Sequence, residues 1–185
     1  AAVLVYGRGA ILGTVLGAFA VNLLLGNPRE VDSAAALLLP LANGLGAGLQ
    51  AAVGAALVRW RLPGPLVLGE PRDVAGFFLL GALVACLVNS SVSTLALSWA
   101  GVVPPGSRAF TWWTWWAGDA LGVLIGAPIV LAAIGRPHAD WAPRRITLAV
   151  PLLATTALLA LATVLVARWD SERSRSVFER DAQAA

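Results

Sequence analysis

Trp112-Trp113-Thr114-Trp115-Trp116-Ala117-Gly118-Asp119-Ala120-Leu121-Gly122 decides how this chain is read. Asp119 is the only carboxylate in an otherwise apolar stretch, 112–134. An ionisable group in a membrane span costs about 2.5–3.5 kcal/mol on insertion scales, so it marks a functional site by default. The question is then whether this stretch crosses a bilayer and what the acid does there.

Composition answers the first part. The 185 residues are 58% hydrophobic and 12% charged, with mean hydropathy +0.78. A soluble domain carries about 25% charged residues. The expected fold is all-α, a polytopic transmembrane helix bundle. All 13 basic residues are Arg, and the net charge is +3. They are spread over short loops, the pattern of membrane orientation rather than of a nucleic-acid patch. There is no Met and no signal-peptide pattern, so residues 1–7 read as the tail of an upstream helix and the chain as a piece of something longer.

Five stretches approach the 20 or so apolar residues that a span needs: 9–25, 34–58, 74–100, 112–134 and 146–167. Turn chemistry separates them at Gly26-Asn27-Pro28, Leu62-Pro63-Gly64-Pro65, Pro104-Pro105-Gly106 and Gly135-Arg136-Pro137. One side holds Arg8, Arg59, Arg61, Arg72, Arg136, Arg144 and Arg145; the other holds Arg29 and Arg108. The positive-inside rule makes the first side cytoplasmic. Residues 1–168 then form the bundle, and 169–185 an extracytoplasmic helix leading into a further domain. In that tail Arg168, Arg173, Arg175 and Arg180 balance Asp170, Glu172, Glu179 and Asp181, with a thin apolar stripe of Val177, Phe178 and Ala182.

Small residues let helix backbones approach where water supplies no drive. Gly9, Gly13 and Gly17, then Gly44, Gly48, Ala52 and Ala56, then Gly118, Gly122 and Gly126 repeat every four residues and are expected at helix contacts. Pro40 and Pro128 fall inside spans and are expected to kink them. Gly44-Leu45-Gly46-Ala47-Gly48 follows no strand and is not a nucleotide loop.

At about 100° per residue, Asp119 shares a face with Gly118, Gly122, Gly126, Trp112, Trp115 and Trp116. Trp113, Ala117, Leu121, Leu124, Pro128 and Leu131 lie opposite, toward lipid. If the tryptophans form an interfacial belt, Asp119 lies about 10 Å below the surface. Asn22, Asn43, Asn89, Ser90, Ser93 and Thr94 reach comparable depths and imply a polar layer in the outer half of the bundle. Asp119 is then a structural acid, or part of a site for a small ligand or ion from outside with Trp112, Trp115, Trp116, Asn43 and Asn89. A proton relay lacks a second acid or His within a span.

Other groups point to less. Cys86 reads as a small buried hydrophobe, and Asn89-Ser90-Ser91 is a glycosylation triplet buried in a span. His138 has Asp140 nearby but too few ligands for a metal. No triad, Cys cluster or convergent carboxylate pair gives catalysis a footing, and no cofactor is implied.

Trp115-Trp116-Ala117-Gly118-Asp119-Ala120-Leu121-Gly122-Val123-Leu124, followed by Ala127-Pro128, resembles the hallmark of the MASE1 family, bacterial integral-membrane sensory domains. Tyr6-Gly7-Arg8, Gly17-Ala18-Phe19, Ala42-Asn43, Leu57-Val58-Arg59 and Arg72-Asp73-Val74 are similar to its other spans. Residues 174–182 resemble the lead into an extracytoplasmic CHASE sensor domain. The family is described with about eight spans, and where it leads one to expect an acid shortly after Asn43, this chain has Gly46. The resemblance implies a signal-input module in the bacterial inner membrane, sensing a small ligand or membrane partner from outside. Its readers would be a cytoplasmic cyclase, phosphodiesterase or histidine kinase, in a possible homodimer. A solute or ion transporter using Asp119 is the alternative.

Overall fold

The computed structural model describes residues 1–25, 34–64, 66–144, 150, 152–154 and 156–157. Helices account for the order of the chain: α1 (Ala2–Tyr6), α2 (Gly9–Leu25), α3 (Ala35–Arg61), α4 (Pro71–Phe78), α5 (Cys86–Trp99), α6 (Arg108–Ile134) and α7 (His138–Trp141). A π-helical turn, Leu79–Val84, welds α4 to α5, and a 3-10 turn, Pro105–Ser107, opens α6. There is no strand among the described residues.

Among the described residues, three helices are long and apolar enough to cross a membrane: Ala35–Arg61, Pro71–Trp99 and Pro105–Ile134. At 1.5 Å per residue each reaches about 40 Å, more than a 30 Å hydrocarbon core. Gly9–Leu25 is a shorter apolar helix whose limits match those read from sequence. Most of the fifth expected span, 146–167, lies outside the described residues. So do the turn at Gly26-Asn27-Pro28, Arg29, Arg145, Arg168 and the tail 169–185.

The helices pack in a row, α2 on α3, α3 on α5 and α5 on α6, with α1 against α2, α3 and α6 at one end. That end carries Arg8, Arg59, Arg61, Arg72, Arg136 and Arg144. Here lies the apolar cluster of Val58, Phe77, Ala127, Leu131 and Trp141. Three side chains lock it. Arg59 Nη2 donates to Val3 O at 3.0 Å and Leu4 O at 3.3 Å, at the C-terminal end of α1, where Val3 O also accepts the Gly7 N–H. Trp141 Nε1 donates to Leu66 O at 3.0 Å, and Arg144 Nη1 to Val67 O at 2.7 Å, pinning the segment between α3 and α4. Trp141→Phe keeps the ring bulk and loses only the N–H. It should cost about 1 kcal/mol and speed proteolysis within residues 62–70, measured by limited digestion in detergent.

Away from that cluster the interior is more polar than the exterior. α5 buries Cys86, Asn89, Ser90, Ser93 and Thr94 at helical spacing, while Leu95 is 70% and Trp99 83% exposed. Leu24, Leu45 and Leu121 are exposed on α2, α3 and α6. Water would not select this arrangement; a bilayer does, because leucine meets lipid tails at no cost and polar groups must find one another. Trp60 at the basic end and Trp99, Phe110 and Trp113 at the other are exposed, as aromatic belts require.

The glycines divide. A Cβ on Gly44 would lie 2.8 Å from Val15 O, and one on Gly48 would strike Val15 Cγ2, so both let α3 touch α2. Gly46 faces Asn89 on α5. Around Gly13, Gly17, Gly118, Gly122 and Gly126 there is open space among the described residues. Where sequence turned the stripe of α6 inward, Gly118 and Gly122 are exposed and the buried residues of α6 are Ala120, Ala127, Leu131 and Ala132. Two indole bonds, from Trp112 to Ser91 in α5 and from Trp116 to Leu83 just before it, set this rotation. Pro40 and Pro128 lie inside α3 and α6 without ending them.

Candidate functional site

Asp119 is half-buried at the edge of the packed face of α6. Asn89 Nδ2, from α5, donates to its Oδ2 at 2.9 Å. Asn89 Oδ1 in turn faces Ser93 Oγ at 3.3 Å, and Ser93 Oγ also reaches Asn43 Oδ1 on α3. Asn43 Nδ2 donates to Asn22 Oδ1 on α2 at 2.9 Å, and Asn22 Nδ2 to Ala18 O at 2.8 Å. A single line of polar contacts thus runs through four helices and ends on the acid. Asn43, Asn89 and Ser93 are buried along it.

Ser93 holds one hydroxyl proton between two amide oxygens. It donates toward Asn43 or toward Asn89, not to both at full strength. The one proton can therefore serve either acceptor, joining Ser93 to α3 or to Asn89 and the acid. Thr94 Oγ1 and Ser98 Oγ, further along α5 toward the end opposite the arginines, are buried without a hydrogen-bond partner among the described residues. Such atoms call for a water or a polar ligand.

The tryptophans take different places. Trp112 Nε1 donates to Ser91 Oγ at 3.1 Å, and Trp116 Nε1 to Leu83 O in the π-helical turn at 2.9 Å. These bonds orient α6 against the helix that contains α5. Trp113 stacks on Trp116, ring centroids 4.8 Å apart, and faces outward. Trp115 is half-buried beside Asp119 and joins no bond of the line among the described residues. Sequence reading found the polar layer but not its connectivity, nor Ser91, nor the part of Gly46, where a Cβ would lie 2.5 Å from Asn89 Oδ1. A glycine facing a buried amide was the available signal. His138 opens α7, and no group of three potential metal ligands occurs among the described residues.

A helical bundle with leucine outside, amides inside and an acid on the inner line is a multi-pass membrane protein. Residues 1–172 match the MASE1 family model, and the chain belongs to that family of membrane-associated sensory domains of signalling proteins. No curated protein and no solved structure matches it significantly.

Proposed function

We propose that the chain is the signal-input part of a bacterial inner-membrane signalling protein, and that the line from Asn22 to Asp119 is its sensing element. The observation that carries this is the line itself: four helices of a sensory-family bundle share one polar contact chain, in which the Ser93 hydroxyl has two acceptors and so can take two arrangements. A ligand or membrane partner arriving at Asp119, Trp112, Trp115 and Trp116 from the extracytoplasmic side would favour one arrangement, and a cytoplasmic output domain would read the change. The arginine end is the cytoplasmic one on this reading, by the positive-inside rule. The output acts as a cyclase, phosphodiesterase or kinase, the chemistry lying outside these residues. Family membership favours this over a transporter.

Asp119→Asn keeps size and hydrogen-bonding while removing the charge. In the full-length chain it should change the basal output activity of isolated membranes by at least about fivefold, at unchanged protein level and melting temperature. Unchanged output with a normally folded bundle would make Asp119 a structural acid and end the site assignment.

A further inference from the structure

We infer that the arginine end of the bundle holds a site, separate from Asp119, for the phosphate headgroup of an anionic membrane lipid. A cavity of about 160 Å³ lies there between α1, α3, α6 and the segment that follows α3. Leu4, Val58, Leu62 and Leu131 make its apolar wall, and Arg59 and Arg136 its charged one. α1 meets it with its last turn, on the side from which the chain runs on to Arg8. A cavity of about 150 Å³ admits benzene, so this one has room for a phosphate and its ester carbons. Trp60, next to Arg59 in sequence, is 77% exposed and marks the membrane interface, the depth at which lipid phosphates lie.

The fold places both guanidinium groups. Arg59 is fixed through Nη2 on the carbonyls of Val3 and Leu4. A guanidinium has five N–H donors, so others remain for an anion. Gly135 delivers Arg136. It is buried against Trp141, where a Cβ would lie 2.7 Å from the indole Cδ1, so a glycine is what lets the chain leave α6 along this path. α3 and α6 both end here, and helix C-termini disfavour anions. Side chains must therefore hold the charge. Guanidinium groups grip phosphate through paired N–H bonds, and basic pockets between membrane helices take anionic headgroups. The leucine wall separates a lipid from free phosphate. It offers the inorganic ion nothing, whereas it can cover the glycerol and first acyl carbons of a lipid.

The test is native mass spectrometry of the full-length protein in neutral detergent. It is titrated with phosphatidylglycerol, with phosphatidylcholine, and with phosphatidylglycerol in excess inorganic phosphate. Saturable binding of phosphatidylglycerol is expected, about fivefold or more tighter than that of phosphatidylcholine and not displaced by phosphate. Arg136→Gln should weaken it about tenfold, the worth of one charge-assisted hydrogen bond. Arg72→Gln removes the same charge from the same end, but Arg72 lies outside the cavity and pairs with Glu70 at 2.7 Å. That variant and Asp119→Asn should each stay within about twofold of the parent. Equal affinity for the two lipids overturns the site, a comparison that needs no variant to fold. So does equal weakening by Arg136→Gln and Arg72→Gln, which would make this end a diffuse positive surface. Loss in Asp119→Asn would place the lipid at the outer site and also overturn it. Displacement by phosphate would make the ligand a soluble anion and overturn the lipid assignment.

Discussion

Gly44→Ala is expected to destabilise the bundle by roughly 2 kcal/mol, while Gly122→Ala is neutral or stabilises it by up to about 1 kcal/mol. The substitution is the same, and helix propensity favours alanine at both sites. Surroundings decide the sign. A methyl at Gly44 would stand 2.8 Å from Val15 O, 3.1 Å from Phe19 Cβ and 3.3 Å from Phe19 N. Two of these three atoms are backbone, so no rotamer relieves the contact and α2 must move as a body. Asn22 on α2 accepts from Asn43, the neighbour of Gly44, so the same movement stretches the line to Asp119. Among the described residues Gly122 meets nothing within 4 Å. Reversible unfolding of the two variants in mixed micelles gives the comparison. Equal midpoints would mean that α2 and α3 do not meet through Gly44.

Asn89→Leu should cost about 3 kcal/mol, and adding Asp119→Leu should restore stability to within about 1 kcal/mol of the parent. The lost hydrogen bond does not account for the first figure, because interhelical bonds in membranes average about 0.6 and reach about 1.7 kcal/mol. The larger part is the carboxylate left in the bundle without the 2.9 Å amide that now meets it. Removing both partners removes that penalty. The double-mutant cycle, read by the same unfolding assay, should therefore show strong coupling. Additive losses would mean that Asp119 finds adequate company elsewhere, in water or in the half-buried tryptophans.

Much of this was legible in the residues. The apolar runs gave α2 to its last residue, and put α3, α6 and the helix spanning α4 and α5 within a few residues of their ends, because a bilayer enforces length as well as composition. Asn22, Asn43, Asn89 and Ser93 were recognisable as a layer, since polar groups at matched depth in neighbouring spans have only one another to bond. Two things were not legible. Which face of α6 turns inward depends on the Trp112–Ser91 and Trp116–Leu83 bonds, and long-range partners cannot be read from a single helix. A glycine stripe marks where close approach is permitted, and Gly44 and Gly118 look alike until their neighbours are placed.

The π-helical turn Leu79–Val84 has a geometric consequence for the helix that contains it. At about 100° per residue, an uninterrupted α-helix would set Asn89 about 120° and Cys86 about 180° around the axis from Phe77. All three are buried. The amide of Ala85 bonds Leu80 O at 3.0 Å, five residues back, so one surplus residue is absorbed and the later half is wound back by about 100°. Both residues then come within about 80° of Phe77. The turn is a phase correction that keeps an oily half and an amide-bearing half aimed at one interior. Delete that surplus residue and the composition hardly changes, yet Asn89, Ser90 and Ser93 would swing toward the acyl chains.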